Sequence, residues 1–426
     1  MTARPAVLAG GGLLAALGGL YATQGLLSGL IHEGLPVVLR ARGIGLDKIG
    51  LLSLLFLPSA LKFLWAPRID RLSAGGPQRR LLWAGRFQLL MLGGVLALLL
   101  LPLETALLAV IGLLLALMLV CVTQDIVTDG MAVQTLAGPQ RGLGNSMQIG
   151  GSYLGYVLGG GMLVTVVGHS GWQEGLIYLA VLLALCSAPA LWLRRRGVAA
   201  QPEAIGAESP AAPPSLRAAW RRMPLRWGMA TVVAAQASLR WFSAIMLTYL
   251  VDRGFAVVEV GLLSGGGVAA AGISGAFLAG VLLKRLARRH VLRLSLGLHL
   301  ALQLAYLLIE SRGWHAKPLL AGVFLLFCVA MAFGFVALYT IMMDLASPAQ
   351  AGTDFSLLQC TDAWCALVFG MAAGAVTAAL GYGATFAITS GLALLGLLLA
   401  PRLHARAMPE EEGAADAPQQ LARSLP

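Results

Sequence analysis

The sequence predicts an all-α membrane protein: twelve transmembrane helices in two pseudo-symmetric six-helix bundles, with both termini cytoplasmic. Three observations predict it. Hydrophobic residues fill 58% of the 426 positions and charged residues only 12%, about half the charge with which a soluble domain covers its surface. The apolar residues come in runs of twenty or more, and about 20 of them cross the roughly 30 Å hydrocarbon layer. The second half of the chain also echoes the first.

The polar breaks place spans near residues 8–38, 46–66, 81–101, 105–128, 143–167, 173–193, 227–251, 257–283, 291–310, 318–343, 353–379 and 382–401. The first opens like a secretory leader, with Arg4 before an apolar stretch. Its apolar character continues past residue 30, so it reads as an uncleaved span. Alternate connections collect the positive charge. Arg68, Arg71, Arg79 and Arg80 follow span two, and Arg141 follows span four. Seven arginines from Arg194 to Arg226 separate spans six and seven, and Lys284, Arg285, Arg288, Arg289 and Arg293 follow span eight. These seventeen face six on the other side: Arg40, Arg42, Lys48, Arg253, Arg312 and Lys317. Basic loops stay in the cytoplasm, which puts the termini and the central connection there. The same pattern accounts for the net charge of +11 without a nucleic-acid partner. Trp65, Trp83, Trp192, Trp220 and Trp227 mark the inner interface, and Trp172 and Trp314 the outer.

The chain divides into an N-terminal bundle (1–196), a cytoplasmic linker (197–225), a C-terminal bundle (226–402) and a tail (403–426). The Pro/Ala-rich stretch from about 197 to 216 reads as flexible. The tail, with Glu410, Glu411 and Glu412, reads as disordered. Ile49-Gly50-Leu51-Leu52-Ser53 recurs as Val260-Gly261-Leu262-Leu263-Ser264 at an offset of 211, and Gln148 and Gln359 share that offset. Cys121, Cys186, Cys328, Cys360 and Cys365 lie inside apolar segments without metal-ligand spacing and read as reduced packing residues.

Asp70-Arg71 followed by Arg79-Arg80 after span two resembles the acidic–basic loop signature of the major facilitator superfamily. More specific are Tyr21-Ala22-Thr23-Gln24-Gly25-Leu26, Leu61-Lys62-Phe63-Leu64-Trp65-Ala66-Pro67 with Asp70, and Gln124-Asp125-Ile126 with Asp129. Together they are similar to the AmpG-like muropeptide-permease and acetyl-CoA-transporter branch, and most of all to the shorter RhtX/FptX-type siderophore permeases. The resemblance covers essentially the whole chain. It implies the major facilitator fold and secondary transport at a bacterial inner membrane, driven by protons, by a single polypeptide. It implies inward carriage of a ferric siderophore, with a muropeptide or related cell-wall fragment as the alternative. It also implies that Asp70, Arg71, Arg79 and Arg80 hold the halves together on the cytoplasmic side. Gly151, Gly155 and Gly159 repeat at every fourth position of span five without a proline, unlike the antiporter signature. Such glycines, with Gly370 and Gly374 in span eleven, permit close helix packing.

Charged groups at bilayer depth cost from about 2.5 kcal/mol upward, so each needs a reason. Lys62, Arg86, Asp125 and Asp129 form a first set. The two aspartates are four apart and share one face of span four, where they repel unless Lys62 or Arg86 neutralises one. Either this is a proton-coupling or gating pair, or a permanent ion pair at the inner ends of spans two, three and four. A second set is Arg240, near the middle of span seven beside Trp241, and Asp362, about nine residues into span eleven near Trp364. At 1.5 Å per residue, Asp362 lies roughly 13 Å into the core. The resemblance puts spans seven and eleven on the cavity, so Arg240 either pairs with Asp362 or receives a substrate carboxylate or phenolate. Tryptophan then offers a stacking face. A plain buried pair is the competing account. Tyr21 and Gln24 in span one and Gln148 in span five are neutral groups that hydrogen-bond either a ligand or a neighbouring helix. His32 and Glu33 near the outer end of span one read as a proton entry or as interfacial polar residues.

Other function classes lack their signatures. The six histidines are scattered, without HExxH or another metal cluster. No GxxxxGK[ST] loop is present. Catalytic residues, a metal and a cofactor are therefore not expected.

Overall fold

The computed structural model describes residues 4–43, 51–103, 105–196 and 213–408. Among them, ten helices are long and apolar enough to cross a membrane. These are α1 (Gly11–Ala41), α2 (Pro77–Leu98), α3 (Leu107–Thr135), α4 (Gln140–Ser170), α5 (Trp172–Arg196), α6 (Met223–Asp252), α7 (Glu259–Leu282), α8 (Arg288–Arg312), α9 (Lys317–Leu345) and α10 (Pro348–Ala407). Prolines sit in the first turn of several, including α2, α6 and α9, where the missing N–H has no helical partner to lose. The sixty residues of α10 divide at Gly381, whose φ of 77° and ψ of 176° break the helix. Only glycine takes that backbone without strain.

The expected second span is not one helix. Residues 51–72 run as a 3₁₀ turn (Leu51–Phe56), a short α-helix (Leu57–Leu61), a second 3₁₀ turn (Lys62–Leu64) and a further α-helix (Ala66–Leu72). Pro58 and Pro67 each remove a helical donor, so this segment is broken and reaches six residues beyond the expected end. Lys48, Ile49 and Gly50 of the predicted loop and repeat lie outside the described residues. So do 197–212 of the linker and the acidic tail from 409. Within the linker, Leu216–Arg221 is helical, capped by Ser215, whose Oγ accepts from Ala218 N at 3.1 Å. The helix of α10 continues to Ala407, so residues 403–407 are helical and not disordered.

Separate apolar cores form in the first and the second half of the chain. The first has an aliphatic core around Leu26, Leu30, Met91, Leu114 and Leu179. The second has an aromatic one, in which Phe242 packs on Tyr306, Phe327 and Phe386. A third cluster spans both bundles, joining Leu17, Tyr21 and Met131 to Leu338, Met342 and Phe355. Within the first bundle α1 and α4 touch backbone to backbone. A Cβ on Gly25 would strike the Ser152 carbonyl, and one on Gly155 the Ala22 carbonyl. The glycine repeat of α4 is therefore a packing face. Gly374, by contrast, has no neighbour within 4 Å of its Cβ direction and packs against nothing there.

Candidate functional site

Between the bundles lies a cavity of about 880 Å³. Its wall on the second bundle is aromatic, with Phe324, Phe327, Phe335 and Tyr339 of α9. From the first bundle α4 contributes Tyr153 and Tyr156. The cavity reaches His32 and Glu33 near one end of α1, where His32 is exposed and stacks on Phe56 with ring centres 3.6 Å apart. Two π-helical turns border it, Leu30–Gly34 and Leu263–Gly267. Such turns recur at functional sites, because one extra residue per turn re-aims the side chains. Its deep end is polar, formed by Gln24, Asp125, Gln148, Arg240, Tyr339 and Gln359.

Beneath this floor sits Lys62. Its ammonium donates to Asp125 Oδ2 and to Gln359 Oε1, and lies 3.8 Å from Asp129 Oδ2. Asp129 is fully buried. Its Oδ1 accepts from Tyr21 Oη at 2.7 Å and from Gln148 Nε2 at 3.3 Å. One ammonium therefore serves two carboxylates, with Asp125 on the cavity side and Asp129 behind it. The 3₁₀ turn at Lys62–Leu64 aims the lysine inward. The structure joins Lys62, Asp125 and Asp129 in one cluster. This cluster also reaches the second bundle, through Gln359.

Arg240 forms a two-point pair with Asp362. Its Nε donates to Oδ1 at 2.9 Å and its Nη2 donates to Oδ2. The guanidinium lies over the Phe335 ring at 4.8 Å and lines the cavity, whereas Asp362 is 2% exposed and stands behind it. Gln359 is one helical turn from Asp362, so both charge sets belong to one floor.

Several expected ligand residues are elsewhere. Tyr21 is spent on Asp129 and does not line the cavity. Trp241 turns to Phe369, with ring centres 6.4 Å apart. Trp364 is 42% exposed on the outer surface. Adjacent helical positions point about 100° apart, so a tryptophan next to a cavity residue faces another way. Arg86 is exposed, over the Trp83 ring at 4.6 Å, and takes no part in the Lys62 set. Gln24 and Gln148 do line the cavity.

The face bearing the basic connections is tied shut. Asp70 accepts from Arg80 Nη2 at 2.7 Å, from the backbone N–H of Gly352 at 3.1 Å, and from both the N–H and Oγ1 of Thr353 at 2.6 Å. A carboxylate of one bundle thus caps a helix of the other, where the helix dipole favours negative charge. Arg80 Nε also donates to Gln134, whose amide donates to Pro348 O at 2.9 Å. Arg71 donates to Pro214 O at 2.7 Å. Among the described residues Arg79 bonds within its own connection, to Leu72 O at 3.2 Å, so of the four predicted loop residues it does not bridge. Sequence reasoning missed a second tie. Asp344 of α9 receives both Arg141 of α4 and Arg288 of α8. A lone carboxylate ending an apolar span was the available signal.

Two helical bundles around a membrane-embedded cavity, sealed at one face and polar at its floor, define a solute carrier of the alternating-access class. The chain belongs to the Major Facilitator Superfamily, whose family profile matches residues 18–367. It is a multi-pass membrane transporter and not an enzyme. It is 27% identical to the anhydromuropeptide permease of Escherichia coli (strain K12) over 379 residues, covering 88% of this chain and 76% of that one. Among solved structures it is similar to a bacterial homologue of the iron transporter ferroportin in an outward-facing state. That match has TM-score 0.67 and 16% identity, over 94% of this chain and all of the other. It is similar also to the transporter FucP in its outward conformation, with TM-score 0.68 and 14% identity, over 92% of this chain and 97% of the other. These two likenesses establish the fold. The expected kinship with siderophore permeases has no support in these relatives, and the muropeptide alternative has.

Proposed function

We propose that this protein imports a muropeptide-like cell-wall fragment across a bacterial inner membrane, by alternating access and with protons. The similarity to an anhydromuropeptide permease along 88% of the chain carries this reading. The cavity supports it. At about 880 Å³ it falls within the range of small-molecule sites, about 300–1,000 Å³. Amide and guanidinium donors at its floor suit the hydroxyls and carboxylates of a sugar–peptide solute. The aromatic wall suits sugar rings and apolar side chains.

Counting the broken segment 51–72 and the two limbs of α10, the chain crosses twelve times as two bundles of six. The basic face is then cytoplasmic, so the cavity opens outward in the conformer described, ready to receive an incoming solute. Lys62, Asp125 and Asp129 carry the coupling. One cation against two carboxylates leaves one negative charge, which a proton neutralises from the cavity side through Asp125.

Uptake assays in cells lacking their own permease test this reading. Expression of the chain restores accumulation of labelled anhydromuropeptide and leaves radio-iron uptake from ferric siderophores unchanged. Restored chelate uptake without fragment uptake would reverse the assignment.

A further inference from the structure

Away from the cavity, on the outer surface of the first bundle, a groove of about 550 Å³ lies where the start of α2 meets the end of α5. Gln78, Arg79, Trp83 and Arg86 of α2 line it, with Arg194 of α5. Its stems are anchored. Trp83 Nε1 and Arg79 Nε both donate to Leu72 O, at 3.0 and 3.2 Å, and Gln78 Nε2 donates to Arg194 O at 2.9 Å. The Arg86 guanidinium lies over the Trp83 ring, 4.6 Å from its centre. All three arginines are exposed, and among the described residues none is paired with a carboxylate. Asp70, the nearest acidic residue in sequence, is committed to Arg80 and to Gly352 and Thr353.

Arg86 stands nine residues beyond Pro77, about 13 Å along the helix. Exposed Leu89 and Leu90 stand three and four residues further on, which puts Arg86 at the edge of the hydrocarbon. A bare guanidinium is costly at that depth unless an anion meets it, and its long stem lets the head reach back toward the lipid headgroups. The planar guanidinium fork matches two oxygens of a phosphodiester. Trp83 is the residue type that settles at glycerol level. Leu82 lines the groove, and exposed Leu89 and Leu90 continue beyond it as a surface for acyl chains. A zwitterionic choline lipid would bring its own cation among three arginines.

We propose that this groove is a binding site for the headgroup of an anionic phospholipid in the leaflet at the basic face. Native mass spectrometry of the full chain, released from nanodiscs holding equal phosphatidylglycerol and phosphatidylcholine, reads it. Wild type retains phosphatidylglycerol preferentially. Arg86→Gln and Arg194→Gln each lower that retention on the order of fivefold, and Arg86→Lys keeps most of it. Arg312→Gln, on the far face, leaves it unchanged. Melting curves in phosphatidylcholine alone establish that the variants are folded. Equal retention of the two lipids by wild type, or retention indifferent to the Arg86→Gln/Arg194→Gln double variant, overturns the proposal. Inorganic phosphate displacing the lipid as readily as phosphatidylglycerol does would assign the groove to a soluble anion and overturn it too.

Discussion

Arg240 and Asp362 meet edge to edge, two nitrogens against two oxygens, with the cation toward the cavity and the carboxylate buried behind it. The pair fastens α6 to α10 while presenting positive charge to an arriving solute. Removing the cation strands a buried carboxylate, which costs about 3–5 kcal/mol. Arg240→Ala is therefore expected to lower both the melting temperature and uptake, the latter at least about tenfold by transition-state arithmetic. Asp362→Asn weakens the grip and frees the guanidinium for the solute. Calorimetry should show tighter binding of an anionic fragment with slower uptake. Unchanged affinity in both variants would leave Arg240 a packing role only.

Much of this floor was legible in the sequence, and the reason is energetic. Lys62, Asp125, Asp129, Arg240 and Asp362 stand in apolar runs, where a charge survives only if it is paired or functional. What could not be read is direction. Arg86 lies in an equally apolar run, but its helix face meets the surface and not the lysine. Trp241 and Trp364 adjoin site residues and point elsewhere. The two 3₁₀ turns of 51–72 shift Lys62 to the cavity floor, and no periodicity announces them. Gln359 was visible as a repeat partner of Gln148, yet its bond to Lys62 depends on how the bundles dock.

Asp125 and Asp129 share Lys62 but differ in access, since Asp125 borders the cavity and Asp129 is fully buried. Asp125→Asn leaves the lysine one carboxylate, so no negative charge remains for a proton to neutralise. The expectation is loss of gradient-driven accumulation with solute exchange across the membrane retained. Proteoliposomes with and without an imposed proton gradient separate the two. Accumulation that persists with both aspartates changed to Asn removes coupling from this cluster.

The approach of α1 to α4 has no slack at Gly155, because an added Cβ meets the carbonyl of Ala22 and the amide of Leu26, both backbone. Neither can rotate away, so Gly155→Val forces the helices apart. Overpacking of this kind costs about 1–3 kcal/mol. Folded yield after detergent extraction should drop, measured by fluorescence-detected size exclusion. Gly161→Ala on the same helix, where nothing lies within 4 Å, should behave as wild type.

Asp70 ties the two bundles at the basic face. It accepts two backbone N–H bonds and one hydroxyl from the start of the helix in α10, besides the Arg80 guanidinium. Those bonds exist only while the bundles touch there, so they favour the conformer whose cavity opens on the other side. Asp70→Ala deletes all of them and leaves Arg80, 2% exposed, as an uncompensated buried cation. Both effects push toward separation of the two halves at that face. Spin labels at Ala137 and Ala287, one on each bundle, should report a longer distance in most of the Asp70→Ala population than in wild type. Arg79→Ala, which removes a bond within its own connection, should leave the distance distribution as it was. An unshifted distribution in Asp70→Ala would mean that the Arg141–Asp344 contact and the apolar cluster shared by both bundles suffice to hold this face closed, and that Asp70 serves only to seat its own loop.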